Sequence, residues 1–298
     1  MKILVSGSSG LIGTALTAAL RADGHTVHTL VRERTNDPQS VYWRPSTGEI
    51  DRAGLEGFDA VVHLAGENIA GGRWNDERKA RILNSRVDGT SLLAESLASC
   101  THKPEALVCA SAVGFYGDRG DTELTEKMPR GKGFLADVSE AWENAADPAR
   151  SAGIRTVHLR MGVVLAAEGG ALEKMLTPFK TGMAGKLADG SQYMSWVSRD
   201  DVVRGIQFAL SERSLDGPVN MVSPTPVTNE EFTNVLGAVL NRPTVMAIPA
   251  FALKMLAGEM AEELLLASIR VIPKKLLDHG FTFRHTDLET ALRQALGL

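Results

Sequence analysis

Three glycines, Gly7, Gly10 and Gly13, stand at G-x-x-G-x-x-G spacing directly behind the short apolar run Lys2–Ser6. Leu11, Ile12, Ala15, Leu16, Ala19 and Leu20 follow as one stripe at helical spacing, and Gly24 closes that helix. A strand that turns through glycines straight into a helix leaves the chain few alternatives. The first glycine allows a tight turn, the second lets backbone approach a pyrophosphate, and the third lets helix and strand pack closely. Gly7, Gly10, Leu11, Ile12 and Gly13 are therefore candidate ligand-binding positions, with the phosphates facing a helix N-terminus whose free N–H groups and dipole favour anions. A glycine-rich turn without a ligand is the alternative.

The rest of the chain supports an α/β reading. Thr26–Val31, Ala60–Ala65, Leu107–Ala110 and Thr156–Leu159 read as strands, with helices over Asp76 to about Ser99 and over Val138–Arg150. Strands alternating with helices predict a Rossmann-like, doubly wound parallel sheet covered on both faces. Beyond Leu165 the pattern loosens. Asp201–Ser211 reads as a helix, Val219–Val222 as a late strand, and Asn229 opens another helix with Glu231 close behind. The expected division is a dinucleotide-binding domain over 1–165 and a smaller, mostly helical substrate lobe over 166–298, with 196–223 returning to the first domain. The Leu and Met residues of Leu253–Leu266, Met255 and Met260 among them, are expected in its core.

Composition narrows the partners. With 32 Lys+Arg against 36 Asp+Glu the net charge is −4, and no basic run is present. Nucleic acid and anionic membrane are poor expectations, and a small-molecule substrate is the better one. No window of about 18 uncharged apolar residues exists, so no transmembrane helix is expected. Met1–Val5 breaks at once into Gly7–Gly10 and lacks a signal-peptide cleavage site, so a cytoplasmic protein is the expectation. The two cysteines, Cys100 and Cys109, read as reduced, buried thiols, and the scattered histidines suggest no metal site. Nothing in the chain speaks to its oligomeric state.

The end of the second strand bears on the cofactor. An acid there would bond the ribose 2′-hydroxyl of NAD, but the position holds Val31, followed by Arg32 and Arg34. Arginine suits a 2′-phosphate, which favours NADP; Glu33 keeps NAD open, and Arg32 as a solvated loop cation is the plainer alternative.

With His63–Gly66, Ser111–Gly117 and Leu159–Leu165, these segments resemble the extended short-chain dehydrogenase/reductase superfamily. Leu64–Ile69, Arg73-Trp74, Ser85-Arg86, Asn220–Pro224 and Pro273–Leu277 resemble, more narrowly, its atypical epimerase subgroup of nucleoside-diphosphate-sugar epimerase type. The resemblance spans essentially the whole chain. It implies that Leu64, Ala65 and Gly66 border the adenosine and ribose, that Ser111 is the catalytic serine, and that Val163 lies at the nicotinamide. The superfamily's Tyr-x-x-x-Lys is absent: four places beyond Tyr42, Tyr116 and Tyr193 stand Ser46, Gly120 and Val197, and the corresponding helix positions fall near Leu135 and Ser139. Arg86 stands where an asparagine often does, a candidate cofactor anchor or a surface arginine. Ser111, Tyr116 and Glu67 are the candidates for catalysis, with backbone bonding, lid packing and helix capping as their respective alternatives. Asp137 is weaker, and Gln192, Tyr193 and Trp196 read as either substrate wall or lobe packing. The implied function is an NADP-binding oxidoreductase or epimerase-like protein acting on a small or sugar-like substrate; the alternative is a non-catalytic NADP-binding redox sensor or regulator.

Overall fold

The computed structural model describes residues 1–298. Its centre is a sheet of β1 (Lys2–Ser6), β2 (Thr26–Val31), β3 (Ser40–Arg44), β4 (Glu49–Ile50), β5 (Ala60–His63), β6 (Ala106–Ala112), β7 (Arg155–Met161) and β8 (Gly217–Met221). The spatial order is β8-β7-β6-β5-β1-β2-β3-β4, and only the β3–β4 pair is antiparallel. The chain runs outward from β1 through β2 and β3, then returns to β5 on the other side of β1. That reversal opens a crevice at the carboxyl end of β1, where doubly wound sheets bind ligands.

The helices used below are α1 (Leu11–Ala22), α2 (Asp76–Ala98), α3 (Phe134–Asn144), α4 (Asp147–Ser151), α5 (Gly170–Lys180), α6 (Arg199–Ser211), α7 (Asn229–Val239) and α8 (Ala250–Ala257). Strand alternation divides the core in two. Ile3 and Val5 face Leu16 of α1 and Ile206 of α6, whereas Leu4 faces Leu93 and Leu97 of α2 and Ala149 of α4. Each fully buried aliphatic side chain contributes about 1.5–3 kcal/mol. α6 and β8 thus pack with the large sheet although they follow α5 in the chain. A separate core joins Leu172 and Phe179 of α5, Trp196, Phe232 and Leu236 of α7, and Leu292 of the last helix, Leu288–Leu296. Short ladders stitch this lobe: Val163–Leu165 pairs with Trp196–Ser198, and Gly185–Leu187 pairs with Met246–Ile248.

Three local differences from the sequence reading have physical reasons. The helix expected over 138–150 is two, α3 and α4, broken at Ala145-Ala146 ahead of Pro148, which has no N–H to continue the ladder. Two further strands, β3 and the edge strand β4, occupy a stretch where Pro38, Pro45 and Gly48 obscure the alternation of buried Val41 and Trp43. In Leu253–Leu266, Leu253 and Ala261 are buried and Met260 packs against a small core, but Met255 and Leu256 are 72% and 76% exposed. α8 turns Phe251, Met255 and Leu256 outward, so only part of that segment is core.

Candidate functional site

The glycine loop builds a cradle. Gly7 has φ +67°, and a Cβ there would meet Ala65 N and the Leu64 carbonyl carbon at 2.9 Å. A Cβ on Gly13 would lie 2.1 Å from Gly7 O, so helix and turn touch backbone to backbone. Gly10 differs. Its φ of −81° and ψ of 174° suit any residue, and a Cβ would approach only Gly7 O, at 3.3 Å. Space, rather than backbone strain, is what glycine provides at position 10. α1 then starts with no side-chain cap and no acid in its first turn, which leaves its leading N–H groups for an anion.

A buried histidine fixes the floor of the cradle. The backbone N–H groups of Leu64 and Ala65 donate to Ser6 Oγ at 3.0 and 3.2 Å. The Ser6 proton is thereby directed to His63 Nδ1, 2.7 Å away, and His63 Nε2–H donates to Thr90 Oγ1 at 3.0 Å. Complete burial pushes the His63 imidazole down to about 4, so it is neutral near pH 7. Ser6, His63 and Thr90 were invisible as site residues because each has ordinary core chemistry; together they tie the ends of β1 and β5 to α2.

On the β2 side, Arg32 and Glu33 are exposed, and Arg34 stacks on Tyr42 with its guanidinium carbon 4.1 Å from the ring centre. On the β5 side, Arg86 of α2 lies against Gly66: a Cβ on that glycine would be 3.5 Å from Arg86 Cζ. The guanidinium stacks on Trp142 of α3 at 4.9 Å and donates once, to Ile82 O at 3.1 Å. Burial pushes it down to about 10. Glu67, on the loop after β5, is taken by Arg78 at 2.6 Å. Val163 is half-buried and donates its N–H to Ser195 O at 2.8 Å.

Ser111 ends β6 and donates to Glu143 Oε1 of α3 at 2.7 Å. Arg160 of β7 grips the same carboxylate through Nε at 2.8 Å and Nη2 at 2.7 Å. Arg160 Nη1 also donates to the Tyr116 hydroxyl at 3.1 Å, and that hydroxyl donates to Asn220 Oδ1 at 2.6 Å. This chain corrects the reading of Tyr116 as an acid/base. Its ring is fully enclosed, its proton is committed to Asn220, and burial raises its pKa. Glu67 is corrected in part: one carboxylate oxygen holds Arg78 and thereby the 67–72 loop. Glu143, Arg160 and Asn220 were missed, since buried polar residues gathered from three elements leave no local spacing to detect.

Leu135 and Ser139 share the α3 face with Glu143, at i, i+4 and i+8. Leu135 abuts Gly114, and Ser139 is buried. Asp137 is exposed and pairs with Arg130. Trp196 is core, its Nε1 donating to Thr225 O at 2.9 Å. Gln192 Nε2 donates to Leu187 O and Leu265 O. Tyr193 lies under Arg270, 4.9 Å from the ring centre. A cavity of about 310 Å³ lies apart from these groups, lined by Leu165, Glu168, Arg199, Asp200 and Gln294. Its polar groups satisfy one another, Arg199 with Glu168 and Gln294 with Asp200. No helix is long and apolar enough to cross a membrane.

Comparisons with known proteins agree with this geometry. Residues 3–222 match the NAD dependent epimerase/dehydratase family, and residues 248–295 match a domain of unknown function, DUF1731. An epimerase family protein of Mycobacterium tuberculosis is 44% identical over 293 residues, 98% of this chain and 97% of that protein. The crystal structure of human epimerase family protein SDR39U1 with NADPH superposes at a TM-score of 0.90, with 34% identity and 100% of both chains covered. The nucleoside-diphosphate sugar epimerase from Corynebacterium glutamicum superposes at 0.84 with 38% identity, covering 100% of this chain and 58% of that one.

Proposed function

The chain belongs to the NAD dependent epimerase/dehydratase family, and from that membership we propose that it is an NADP(H)-dependent oxidoreductase or epimerase-like protein acting on a small or sugar-like substrate. The observation that carries the reading is the glycine cradle. At Gly7 and Gly13 a Cβ would run into backbone below 3 Å, at Gly10 it would meet only Gly7 O at 3.3 Å, and the helix behind them is uncapped. The human relative solved with NADPH supports the choice of nucleotide.

In this reading Gly7, Gly10, Leu11, Ile12 and Gly13 hold the pyrophosphate through backbone N–H groups. Arg32 meets the 2′-phosphate, Leu64, Ala65 and Gly66 border the adenosine side, and Arg86 and Val163 serve the far half. The nicotinamide, when bound, donates or accepts a hydride. Ser111 bonds the substrate oxygen. Its proton now goes to Glu143, which the Arg160 fork keeps as an acceptor, so the lone pairs of Ser111 are what it offers to a substrate hydroxyl. Arginine is never deprotonated under these conditions, so Arg86 binds and does not transfer protons.

Calorimetry with NADPH and NADH tests the nucleotide choice. A charged contact to the 2′-phosphate is worth about 1.5–3 kcal/mol, roughly tenfold to a hundredfold in affinity, and Arg32→Ala should erase most of it. Equal affinities in the unmodified protein would remove Arg32 from the reading. NADPH oxidation across a panel of carbonyls tests the reductase reading, and product analysis of nucleotide sugars with the bound cofactor tests the redox-neutral epimerase reading; binding with no conversion in either assay would leave a nucleotide-binding protein without catalysis.

A further inference from the structure

Arg86 is a half-buried cation that forms no ion pair of its own. A guanidinium carries five N–H donors, and only one is used, on a carbonyl of its own helix. The nearby acid, Glu67, is committed to Arg78. A guanidinium partly withdrawn from water, with most of its donors unused, can take a ligand that brings acceptors. Stacking on the Trp142 face holds the plane of the guanidinium and leaves its edge free for two parallel bonds.

Its place in the sheet tells which part of a dinucleotide it meets. Arg86 lies against Gly66, the last of the adenosine-side residues beyond β5, and reaches away from them to Trp142 of α3. The next residue on α3, Glu143, bonds Ser111 at the end of β6. Arg86 therefore stands on the β5–β6 side of β1, while Arg32 stands on the β2 side. A dinucleotide whose phosphates rest on α1, between them, reaches both. On α3 the position where a cation would anchor that half holds Ser139, buried and uncharged.

We propose that Arg86 is the cationic anchor of the nicotinamide nucleotide half, supplied by α2 in place of the cation missing from α3, and that its charge makes the site select the reduced cofactor. The inference rests on the nucleotide reading above. Its acceptors are ribose hydroxyls and the adjacent phosphate oxygens. The selection follows from charge: oxidised nicotinamide is a cation and reduced nicotinamide is neutral, so a fixed positive group whose one nearby carboxylate, Glu67, is shared with Arg78 disfavours the oxidised form. Glu67 weakens that repulsion least while it remains paired with Arg78.

Calorimetric titration with NADPH, NADP⁺ and 2′,5′-ADP, which lacks the nicotinamide half, tests this without any substrate. Arg86→Met keeps the apolar stem and removes the charge; Arg86→Lys restores the charge without the fork. The unmodified protein should bind NADPH several-fold more tightly than NADP⁺. Arg86→Met should weaken NADPH roughly tenfold or more, bring the two forms close to equality, and leave 2′,5′-ADP within about twofold. Arg86→Lys should recover part of both the affinity and the preference. Circular dichroism and melting temperature, measured beside each titration, establish that the variants are folded. Parallel loss of 2′,5′-ADP and NADPH in folded Arg86→Met overturns the assignment to the nicotinamide half, as does unchanged NADPH affinity. Equal affinity for both redox forms in the unmodified protein overturns the selection. Failure of all three nucleotides to bind the unmodified protein would instead remove the cofactor reading itself.

Discussion

The glycines of the first loop are not interchangeable. At Gly13 an added methyl group would sit 2.1 Å from Gly7 O and 2.8 Å from Ser8 Cα, all rigid backbone. α1 would have to move away from the turn, and such overpacking costs about 1–3 kcal/mol or more. At Gly10 the same methyl group meets only Gly7 O, at 3.3 Å. Gly13→Ala should therefore lower the urea midpoint and weaken NADPH binding together, whereas Gly10→Ala should leave the midpoint nearly unchanged and weaken binding alone. Equal midpoints for Gly13→Ala and the unmodified protein would show that helix and turn do not need this contact. The spacing of these glycines is legible in the sequence, and so is the contact of Gly13 with Gly7, because it lies within seven residues; the approach of Gly7 to Leu64 and Ala65 is assembled by the fold. Tyr116 is the opposite case. What disqualifies it as an acid is its enclosure by Arg160 and Asn220, 44 and 104 residues away.

The helices show the same division between local and assembled information. α1, α2 and α6 have one apolar stripe each and were read within a few residues of their observed ends. α8 has apolar residues on every side, so its sequence gives no direction, and its outward Phe251 and Met255 become visible only when the fold is known. α3 is instructive in another way. It begins at Gly133 with no cap of its own. The Glu263 carboxylate, from the lobe segment after α8, accepts from Phe134 N–H and Leu135 N–H at 2.6 and 2.7 Å. That segment is also held by Lys79 to Glu259 at 2.8 Å. A carboxylate across a helix N-terminus both satisfies donors and meets the positive end of the dipole, about 1 kcal/mol in similar positions. Glu263→Gln keeps one acceptor and removes the charge. It should speed amide exchange at Phe134, Leu135 and 257–266 several-fold while leaving the β1–β5 amides protected. Unchanged exchange at Phe134 and Leu135 would mean that the lobe does not hold α3 at all.

At the scale of the whole molecule, two buried histidines set how the fold responds to acid. His63 closes the cradle, and His158 lies inside β7 with Arg150 donating to its Nε2 at 3.2 Å. Burial lowers both from 6.5 to about 4; around His158, Glu143 opposes the shift, while Arg150 and Arg160 add to it. The sign follows from where protons go. Below about pH 6.5 the unfolded chain takes up a proton at each imidazole, and the folded protein does not until about pH 4. Stability is therefore complete above the unfolded value, falls as the pH drops through this window, and stops falling from this cause near pH 4. A shift of about 2.5 units corresponds to about 3 kcal/mol per histidine once the window has been crossed, a large share of ordinary domain stability. Urea unfolding between pH 7 and pH 4.5 should show this decline, and His158→Asn should remove roughly half of its slope. His63 carries the same depressed pKa into function. A protonated ring cannot accept from Ser6, whose hydroxyl holds Leu64 and Ala65 beneath the glycine loop, so NADPH affinity in the folded His158→Asn protein should hold through the window in which stability declines and fall only as the pH approaches about 4. Stability that stays level from pH 7 to pH 4.5 would mean that both imidazoles are protonated in the folded protein as readily as in the unfolded chain, and the arrangement of Ser6, His63 and Thr90 would then have to be redrawn around a charged ring.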